Sequence, residues 1–288
     1  MAITYNNLYL DIRRQLRQAG VDAATLEARE LVCFATGKTR EELYRDGALY
    51  APPELEEQTR RLVERHLAGE PVAYLIGEWE FYGLPLDISP EVLIPRSDSE
   101  VLAGQAIDYC KTLGNCRVLD LCAGSGCLGL AVAANVPQSR VLLGELSEEA
   151  LKVCRQNIRR CCLQGRVTAL RVDAREKPLH TLGEFQCIVS NPPYIPSAEI
   201  GGLDNSVRDY EPHLALDGGA DGLYFYRAVT ELWRPALAEN GRLYFEVGAG
   251  QADAVLRIMR SAGFGDIQVV QDLNRIPRVV FGTLCGEV

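Results

Sequence analysis

Four consecutive residues, Asn191-Pro192-Pro193-Tyr194, carry the groups needed to bind a planar amino group. Two consecutive prolines have fixed φ angles and no N–H donors, so the carbonyl of Pro192 is held rigidly. The Asn191 side chain supplies a second acceptor, and Tyr194 supplies a flat ring. We predict that the two acceptors bind both N–H bonds of an amide or exocyclic amine and leave its nitrogen free to attack an electrophile.

A glycine-rich loop, residues 122–129, gives this tetrapeptide a chemical context. Gly124, Gly126 and Gly129 have the G-x-G-x-x-G spacing of nucleotide-binding loops, in which a ligand approaches the backbone closely. We expect Cys122, Gly124 and Gly126 to contact a cofactor. The glycine spacing alone fits NAD as well as S-adenosylmethionine. If the glycine loop were absent, residues 191–194 would equally fit a proline-rich turn.

Three acidic residues help to distinguish these two cofactors. Asp120 lies in the strand before the loop, where a carboxylate would repel a pyrophosphate but can face the amino group of a methionine moiety. Glu145 lies about 20 residues beyond the loop, at the position expected to bind ribose hydroxyls. Asp173 ends the third strand and can accept a hydrogen bond from an adenine amino group, or it is simply solvated. With the acceptor pair, this pattern favours methyl transfer to nitrogen.

The elements that position these residues have the pattern of an α/β fold. From about residue 101 strands and helices alternate, which predicts a doubly wound, mainly parallel sheet. Ligands bind at the carboxyl ends of the strands in such sheets, so we expect Asp120, Glu145, Asp173 and Asn191 to share one pocket. The predicted strands are residues 117–121, 140–144, 167–172, 185–190, 242–247 and 278–282.

The chain before this sheet has a different pattern. Residues 1–80 predict a small helical bundle, with Leu8, Ile12 and Leu16 on one helix face and Pro53 opening a later helix. Apolar residues then alternate around Gly83 and predict a β-hairpin. We therefore expect three parts: a helical N-terminal domain at 1–80, a hairpin linker at 81–100 and a catalytic domain at 101–288.

Composition narrows the class of protein further. The net charge of −9 argues against a stable nucleic-acid partner, because non-specific affinity for phosphates comes largely from Lys and Arg. No run of 18 apolar residues and no signal-peptide pattern occurs, so neither a membrane partner nor secretion is expected. The ten cysteines include no C-x-x-C pair, so we expect free thiols in a reducing cytoplasm and no metal site.

The chain resembles the release-factor glutamine methyltransferases (PrmC/HemK), a family of class I S-adenosylmethionine enzymes. The glycine loop and Asn-Pro-Pro-Tyr occur in many methyltransferases, whereas the Leu-Ile-Pro-Arg segment ending at Arg96 and the Gly-Gly-x-Asp-Gly-Leu segment at 218–223 are more specific. Ser97 and Ser99 replace the usual Pro and Thr, and neither change is expected to touch the chemistry. Further matching segments are residues 70–77, 80–83, 97–100, 211–212 with 215–217, 245–248 with Gln251, and 272–274 with 278–280.

This resemblance implies a specific activity. The expected reaction is N5-methylation of the glutamine in the Gly-Gly-Gln motif of class 1 peptide chain release factors, with S-adenosyl-L-homocysteine as the second product. Asn191, Pro192 and Tyr194 would be catalytic, and Pro193 and Arg96 would join them in binding substrate. Residues 1–80 would recognise the release factor or, with equal weight, only stabilise the catalytic domain. No residue is assigned as a general base.

Three other functions fit part of the pattern. A DNA adenine-N6 methyltransferase would use the same acceptor pair on a flipped base, but would want a basic groove that this acidic chain does not clearly show. An NAD-dependent oxidoreductase fits the glycines alone. A non-catalytic binding module would retain the fold, but the intact Asn-Pro-Pro-Tyr segment and glycine loop argue against it.

Overall fold

The computed structural model describes residues 3–285 as helices and strands joined mostly by short loops. The helices are α1 (Tyr5–Gln18), α2 (Ala24–Thr36), α3 (Arg40–Arg45), α4 (Pro53–Leu67), α5 (Val72–Ile76), α6 (Ser99–Leu113), α7 (Cys127–Asn135), α8 (Glu148–Arg160), α9 (Asn205–Arg208), α10 (Tyr224–Leu232) and α11 (Ala252–Ser261). The strands are β1 (Glu78–Phe81), β2 (Leu84–Asp87), β3 (Arg117–Leu121), β4 (Arg140–Glu145), β5 (Val167–Arg171), β6 (Phe185–Ser190), β7 (Leu237–Glu246), β8 (Phe264–Gln271) and β9 (Pro277–Leu284).

The chain separates into two compact units. The first comprises the chain up to Gly77 together with Asn205–Tyr210, and the second comprises Glu78–Asp204 and the chain from Glu211 onward. No helix between residues 3 and 285 has the length and apolar composition needed to cross a membrane.

The first unit is a bundle of helices whose ends and faces follow from the sequence. Thr4 caps α1 by accepting a hydrogen bond from the Asn7 N–H at 3.2 Å, and α1 buries Leu8, Ile12 and Leu16. A proline at the first position of α4 has its fixed φ and needs no N–H partner there. The bundle predicted from the apolar spacing is confirmed.

The second unit is built on a doubly wound sheet. Within the described residues it has seven strands in the order β5-β4-β3-β6-β7-β9-β8, and the neighbours from β5 to β7 are parallel. Only β9 runs antiparallel to its neighbours β7 and β8 in this described sheet. The predicted α/β class is therefore confirmed, and β1 and β2 form the predicted antiparallel hairpin.

The centre of the sheet brings three strand ends to one edge. Leu121, the last residue of β3, pairs with Gly144 of β4 on one side and with Ser190 of β6 on the other. The Ser190 hydroxyl donates a hydrogen bond to the Leu121 carbonyl at 2.7 Å, which ties β6 to β3 at this point. The strand order reverses between β3 and β6, so ligands are expected to bind just beyond these ends.

Strand β8 was not predicted from the sequence. It is a sheet-edge strand in which Phe264 is its only fully buried residue, so its apolar pattern is weak.

Aromatic residues contribute to the core that packs on the sheet. Tyr226 packs edge-on against Phe245 with ring centroids 5.2 Å apart, and Trp233 donates a hydrogen bond to the Ala174 carbonyl at 3.1 Å.

Candidate active site

A cavity of about 340 Å³ lies at the carboxyl ends of the central strands. Its wall includes the glycine loop, the ends of β4 and β5, the Leu-Ile-Pro-Arg segment and the residue that follows β6. Three acidic residues and one asparagine were predicted to share one pocket. Three of these four residues line the cavity: Glu145, Asp173 and Asn191. The volume is within the range of sites that bind small ligands.

The glycine loop is held against the sheet by one carboxylate and one close backbone approach. Asp120 Oδ2 accepts a hydrogen bond from the Gly129 N–H at 2.8 Å. A Cβ on Gly129 would stand 3.1 Å from the Asp120 Cβ and 3.0 Å from the Val141 side chain, so only glycine lets α7 lie this close to β3 and β4.

Asp120 does not border the cavity, although the sequence suggested a direct contact with the cofactor. Its side chain is fully buried, and Oδ1 has no hydrogen-bond partner among the described residues. Burial raises the pKa of this carboxyl to about 7, the Gly129 hydrogen bond lowers it and the charge of Glu145 raises it. Asp120 therefore supports the loop from beneath.

Glu145 binds the loop from the cavity side. Its Oε2 accepts a hydrogen bond from the Gly124 N–H at 2.8 Å, and Oε1 accepts one from the Ser147 N–H at 2.9 Å. Cys122 also lines the cavity, and it adopts a positive φ of 65° at the start of the loop. Each carboxylate oxygen of Glu145 retains a lone pair for a further donor.

Asp173 lines the same cavity but is already paired with Arg175. Its Oδ1 accepts hydrogen bonds from the Arg175 backbone N–H at 2.9 Å and from Nε at 2.8 Å, and Oδ2 accepts one from the guanidinium at 2.7 Å. The Arg175 hydrogen bond lowers the pKa of Asp173. The carboxylate therefore stays ionised and is available only as an acceptor.

Asn191 lies at the opposite wall of the cavity, directly after β6. Its Nδ2 donates a hydrogen bond to Ser99 Oγ at 3.4 Å, and its side chain lowers the pKa of the neighbouring Glu246 carboxyl. No described residue donates a hydrogen bond to Asn191 Oδ1. Ser99 keeps the hydroxyl of the usual Thr, and α6 begins at Ser99 and places this hydroxyl against Asn191.

Glu246 was assigned no role from the sequence. It ends β7, is 3% exposed and lies beside Asn191, because Ser190 of β6 pairs with Phe245 of β7. Burial raises its pKa to about 7, whereas the hydrogen bond from Ser99 and the charge of Arg278 lower it. An acid in a strand otherwise rich in buried apolar residues was the available signal, because such a residue is rarely buried without partners.

The rest of the Asn-Pro-Pro-Tyr segment is divided between the cavity and the interior. Pro193 lines the cavity, while Pro192 and Tyr194 do not. No described backbone N–H bonds to the Pro192 carbonyl, so this oxygen is available as an acceptor, and its role in binding an amide stays a prediction. Burial and the nearby charge of Glu246 raise the pKa of Tyr194 to about 12, so its hydroxyl is neutral.

Two segments singled out by the resemblance pack against Tyr194. Gln251 Nε2 donates a hydrogen bond to the Tyr194 carbonyl at 2.9 Å, and Gln251 Oε1 accepts one from the Gly248 N–H at 3.0 Å. A Cβ on Gly218 would stand 2.7 Å from the Tyr194 Cα, so the chain at 218 passes directly beneath this backbone. These segments support the backbone of residues 191–194 rather than contact the cavity centre.

Arg96 lines the cavity, as expected for a substrate-binding residue, and forms an ion pair with Glu211. Burial raises the pKa of Glu211, and the charge of Arg96 lowers it. Glu211 is buried while Arg96 is partly exposed, so the carboxylate holds the guanidinium at the cavity wall.

Metal ligands were not expected, and none of the described residues forms a group of three or more His, Cys, Asp or Glu side chains able to hold a metal ion. The ten cysteines are free, and burial raises the pKa of the Cys122 thiol above its ordinary value. The thiol at the cavity wall is therefore uncharged and is a weak nucleophile.

Comparisons with known proteins agree with this geometry. The family model for the PrmC N-terminal domain matches residues 7–77, and the model for the methyltransferase small domain matches residues 102–202. A release factor glutamine methyltransferase from Geobacter sulfurreducens is 39% identical over 272 residues, covering 94% of this chain and 94% of the relative. The chain belongs to the release factor glutamine methyltransferase family. A relative of the same name from Caulobacter vibrioides is 34% identical over 98% of this chain and 97% of its own.

The fold comparison extends beyond this family. A methyltransferase from Pyrococcus furiosus superposes with a TM-score of 0.51 at 16% identity, covering 77% of this chain and 98% of that chain. At this identity the match supports the fold alone. It agrees with a class I methyltransferase sheet as the scaffold of the second unit.

The cavity residues fit the chemistry of S-adenosylmethionine. Glu145 supplies carboxylate oxygens suited to ribose hydroxyls, and Asp173 supplies acceptors suited to an amino group. Apolar wall residues suit a purine ring, and the family model of a methyltransferase domain implies a methyl donor of this kind. The apolar residues are Leu128, Leu146, Val172 and Phe225.

Proposed function

We propose that this protein methylates N5 of the glutamine side chain in the Gly-Gly-Gln motif of class 1 peptide chain release factors. The observation that carries the proposal is the placement of Asn191 and the glycine loop on walls of the same cavity. Family membership selects a glutamine amide rather than an adenine base as the planar amino group. It also favours a methyl donor over NAD.

Residues of the chain would bind the substrate amide and orient its nitrogen. Asn191 Oδ1 and the Pro192 carbonyl would accept its two N–H bonds, since neither accepts a hydrogen bond from a described residue. Accepting both N–H bonds would keep more electron density on the amide nitrogen, so that less of its lone pair is delocalised into the carbonyl. The same two hydrogen bonds would orient the nitrogen toward the cavity. Holding reactants in a productive geometry lowers barriers by roughly 7–11 kcal/mol.

S-adenosylmethionine, bound at the glycine loop, supplies an electrophilic methyl group on its sulfonium. On transfer, the glutamine nitrogen would form the new N–C bond as the C–S bond of the donor breaks to give S-adenosyl-L-homocysteine, and one N–H proton would leave to water. In the proposed site, Cys122, Gly124, Gly126 and Glu145 bind the cofactor with Asp173, while Asp120 acts through the loop. Tyr194 and Pro193 border the amide, and Arg96 contacts the release factor.

The three-part division of the chain is part of this proposal. Residues 1–80 would recognise the release factor, 81–100 would link, and 101–288 would carry out the transfer. Exposed aromatic and apolar side chains in the first unit support a protein partner: Tyr44 is 92% exposed, Tyr50 67% and Leu49 58%. Release factors act in the cytoplasm, so the proposal places the enzyme there.

A labelling experiment tests this function directly. The protein is incubated with methyl-labelled S-adenosylmethionine and a purified class 1 release factor, and the modified residue is mapped by mass spectrometry. We expect one methyl group on the glutamine of Gly-Gly-Gln and none on a release factor with alanine at that position. Labelling of a different residue, or of DNA in place of the release factor, would refute the proposal.

A further inference from the structure

The amide of Asn191 must present a particular end to the cavity. An asparagine side chain can rotate by about 180° and place either its oxygen or its NH2 group at nearly the same point. The proposed role needs the oxygen there, because an NH2 group would face the N–H bonds of the substrate. The surroundings of Asn191 must therefore favour one orientation over the other.

Ser99, which itself lines the cavity, and the buried Glu246 supply this preference. Asn191 Nδ2 lies 3.4 Å from Ser99 Oγ, and Asn191 lies beside Glu246, because Ser190 of β6 pairs with Phe245 of β7. Interactions with both side chains lower the pKa of the Glu246 carboxyl. An ionised carboxylate only accepts hydrogen bonds, whereas a hydroxyl both donates and accepts. Ser99 can thus donate to Glu246 while accepting from Asn191, and while Glu246 is ionised no arrangement with the Asn191 oxygen facing its carboxylate is favourable.

Glu246 has no direct path to the reacting atoms. It is 3% exposed, and it is not among the residues that line the cavity. Its Oε2 has no hydrogen-bond partner among the described residues, so it is not held by other donors that would explain its burial. Burying an ionised carboxylate costs folding free energy unless hydrogen-bond donors or opposite charges compensate it.

The other groups that face Glu246 come from several elements. Arg278 in β9 and Asp98 before α6 have opposite effects on its charge. Its carboxylate in turn raises the pKa of the Tyr194 and Tyr226 hydroxyls and of the Cys127 thiol, for all of which burial is the larger cause. Arg278 is the positive group of this set, and it is paired with Asp98 at 3.0 Å and Asp272 at 3.1 Å.

We propose that Ser99 and Glu246 are positioning residues for methyl transfer, which fix the Asn191 amide with its oxygen toward the cavity. The inference rests on the proposed function, because the orientation matters only if Asn191 accepts a hydrogen bond from the substrate. It extends that function to two side chains that act through Asn191: Ser99 at the cavity wall, and Glu246, which does not line the cavity.

Variants at Ser99 separate the hydroxyl from the packing of the side chain. Ser99→Ala should lower the single-turnover rate about three- to tenfold, the range for one lost hydrogen bond, without changing the dissociation constants for cofactor and release factor. Ser99→Thr keeps the hydroxyl and should retain the rate. Thr230→Val is the matched control, because Thr230 is a buried hydroxyl on α10 with no hydrogen-bond partner among the described residues.

Glu246→Gln tests the acceptor-only character of the carboxylate. A glutamine amide both donates and accepts, so it no longer selects the orientation of Asn191, and the rate should fall about tenfold or more at unchanged ligand affinities. In the parent protein the rate at saturating ligands should decline as the pH falls through about 7, where Glu246 gains a proton. This decline should be absent in Glu246→Gln.

The outcomes separate this inference from the function on which it rests. A parent protein that does not methylate the release factor rejects the proposed function before any variant is compared. An active parent with Ser99→Ala and Glu246→Gln rates equal to that of Thr230→Val rejects the positioning role. Equal losses in Ser99→Ala and Ser99→Thr also reject it, because the hydroxyl would then be irrelevant. Melting temperatures measured in parallel identify any variant that has lost its fold.

Discussion

The two walls of the cavity are supported by contacts of very different range along the chain. On the glycine-loop wall, Asp120 bonds to Gly129 nine positions away, and Glu145 bonds to Gly124 at 21 positions. On the Asn-Pro-Pro-Tyr wall, Asn191 bonds to Ser99 from 92 positions away. The wall proposed to bind the cofactor is therefore a local structure, whereas the wall proposed to bind the amide depends on the tertiary fold of the second unit.

This difference suggests how the two walls divide the work. A loop supported by neighbouring strands can bind a nucleotide in many proteins, whatever reaction follows. The acceptor pair must hold one amide in one orientation, so it needs support from elements that only this fold brings together. Changes at the loop should then alter cofactor affinity, and changes at the acceptor wall should alter the rate of the bound complex.

Asn191→Ala should separate the two walls most strongly. It removes one proposed acceptor, and loss of one such preorganised group typically lowers turnover by about 10²–10³-fold. The dissociation constant for S-adenosylmethionine, measured by calorimetry, should change little. If cofactor binding collapses while single-turnover methylation by the bound complex is unaffected, the assignment of Asn191 to the acceptor wall is wrong.

Glu145→Ala should have the opposite signature. Removing the carboxylate leaves the Gly124 N–H and the proposed ribose hydroxyls without it, which should weaken cofactor binding by about 1–3 kcal/mol. The rate at saturating cofactor should stay close to that of the parent. Glu149→Ala is the matched control, because Glu149 is an exposed acid on the neighbouring helix α8. Equal dissociation constants for these two variants would reject the ribose assignment.

The local wall is also the part that the sequence predicted well. The glycine spacing and the strand before it identify the loop, and the carboxylate about 20 residues later identifies Glu145. The strand β6 and the Asn-Pro-Pro-Tyr segment follow from an apolar run that ends at two prolines. The parallel sheet follows from the alternation of strands and helices, and the edge strand β8 was missed because it has little buried apolar surface.

The support of the distant wall could not be predicted in the same way. Ser99 and Glu246 lie on α6 and β7, and only the packing of these elements around β6 brings them to Asn191. Their sequence neighbourhoods contain no spacing that relates them to residue 191. Asp120 shows the same limit within the local wall, because its position in a strand was clear but the direction of its side chain was not.

Gln251→Ala should sharpen the comparison by weakening the distant wall without removing an acceptor. The variant leaves the Tyr194 carbonyl and the Gly248 N–H without Gln251, and the loss of these two partly buried hydrogen bonds costs about 1–3 kcal/mol of stability. We expect a lower melting temperature and a several-fold lower single-turnover rate, with cofactor affinity retained. A loss of cofactor affinity as large as that of Glu145→Ala would show that the two walls are not independent.

Asp120 offers the finest test, because it lies under the local wall and holds a pKa of about 7 in the free protein. If the cationic amino group of the cofactor lies near Oδ1, binding favours the ionised carboxylate and lowers its pKa. Cofactor affinity should then rise about tenfold between about pH 6 and pH 8, as the fraction of ionised Asp120 increases. If Asp120 only supports the loop, its ionisation should cause no increase in cofactor affinity over this pH range.

Asp120→Asn isolates this contribution from the titration of the cofactor itself. The amide oxygen can still accept the Gly129 hydrogen bond, so the loop should keep its support. The variant also changes stability in a defined direction. Because the pKa of Asp120 is raised by burial, the parent is stabilised by the protonated acid at low pH and loses that contribution as the pH rises from about 4 through about 7. The free energy of unfolding, measured at several pH values, should therefore decline less with rising pH in Asp120→Asn than in the parent. If cofactor affinity rises equally with pH in both proteins, Asp120 only supports the loop.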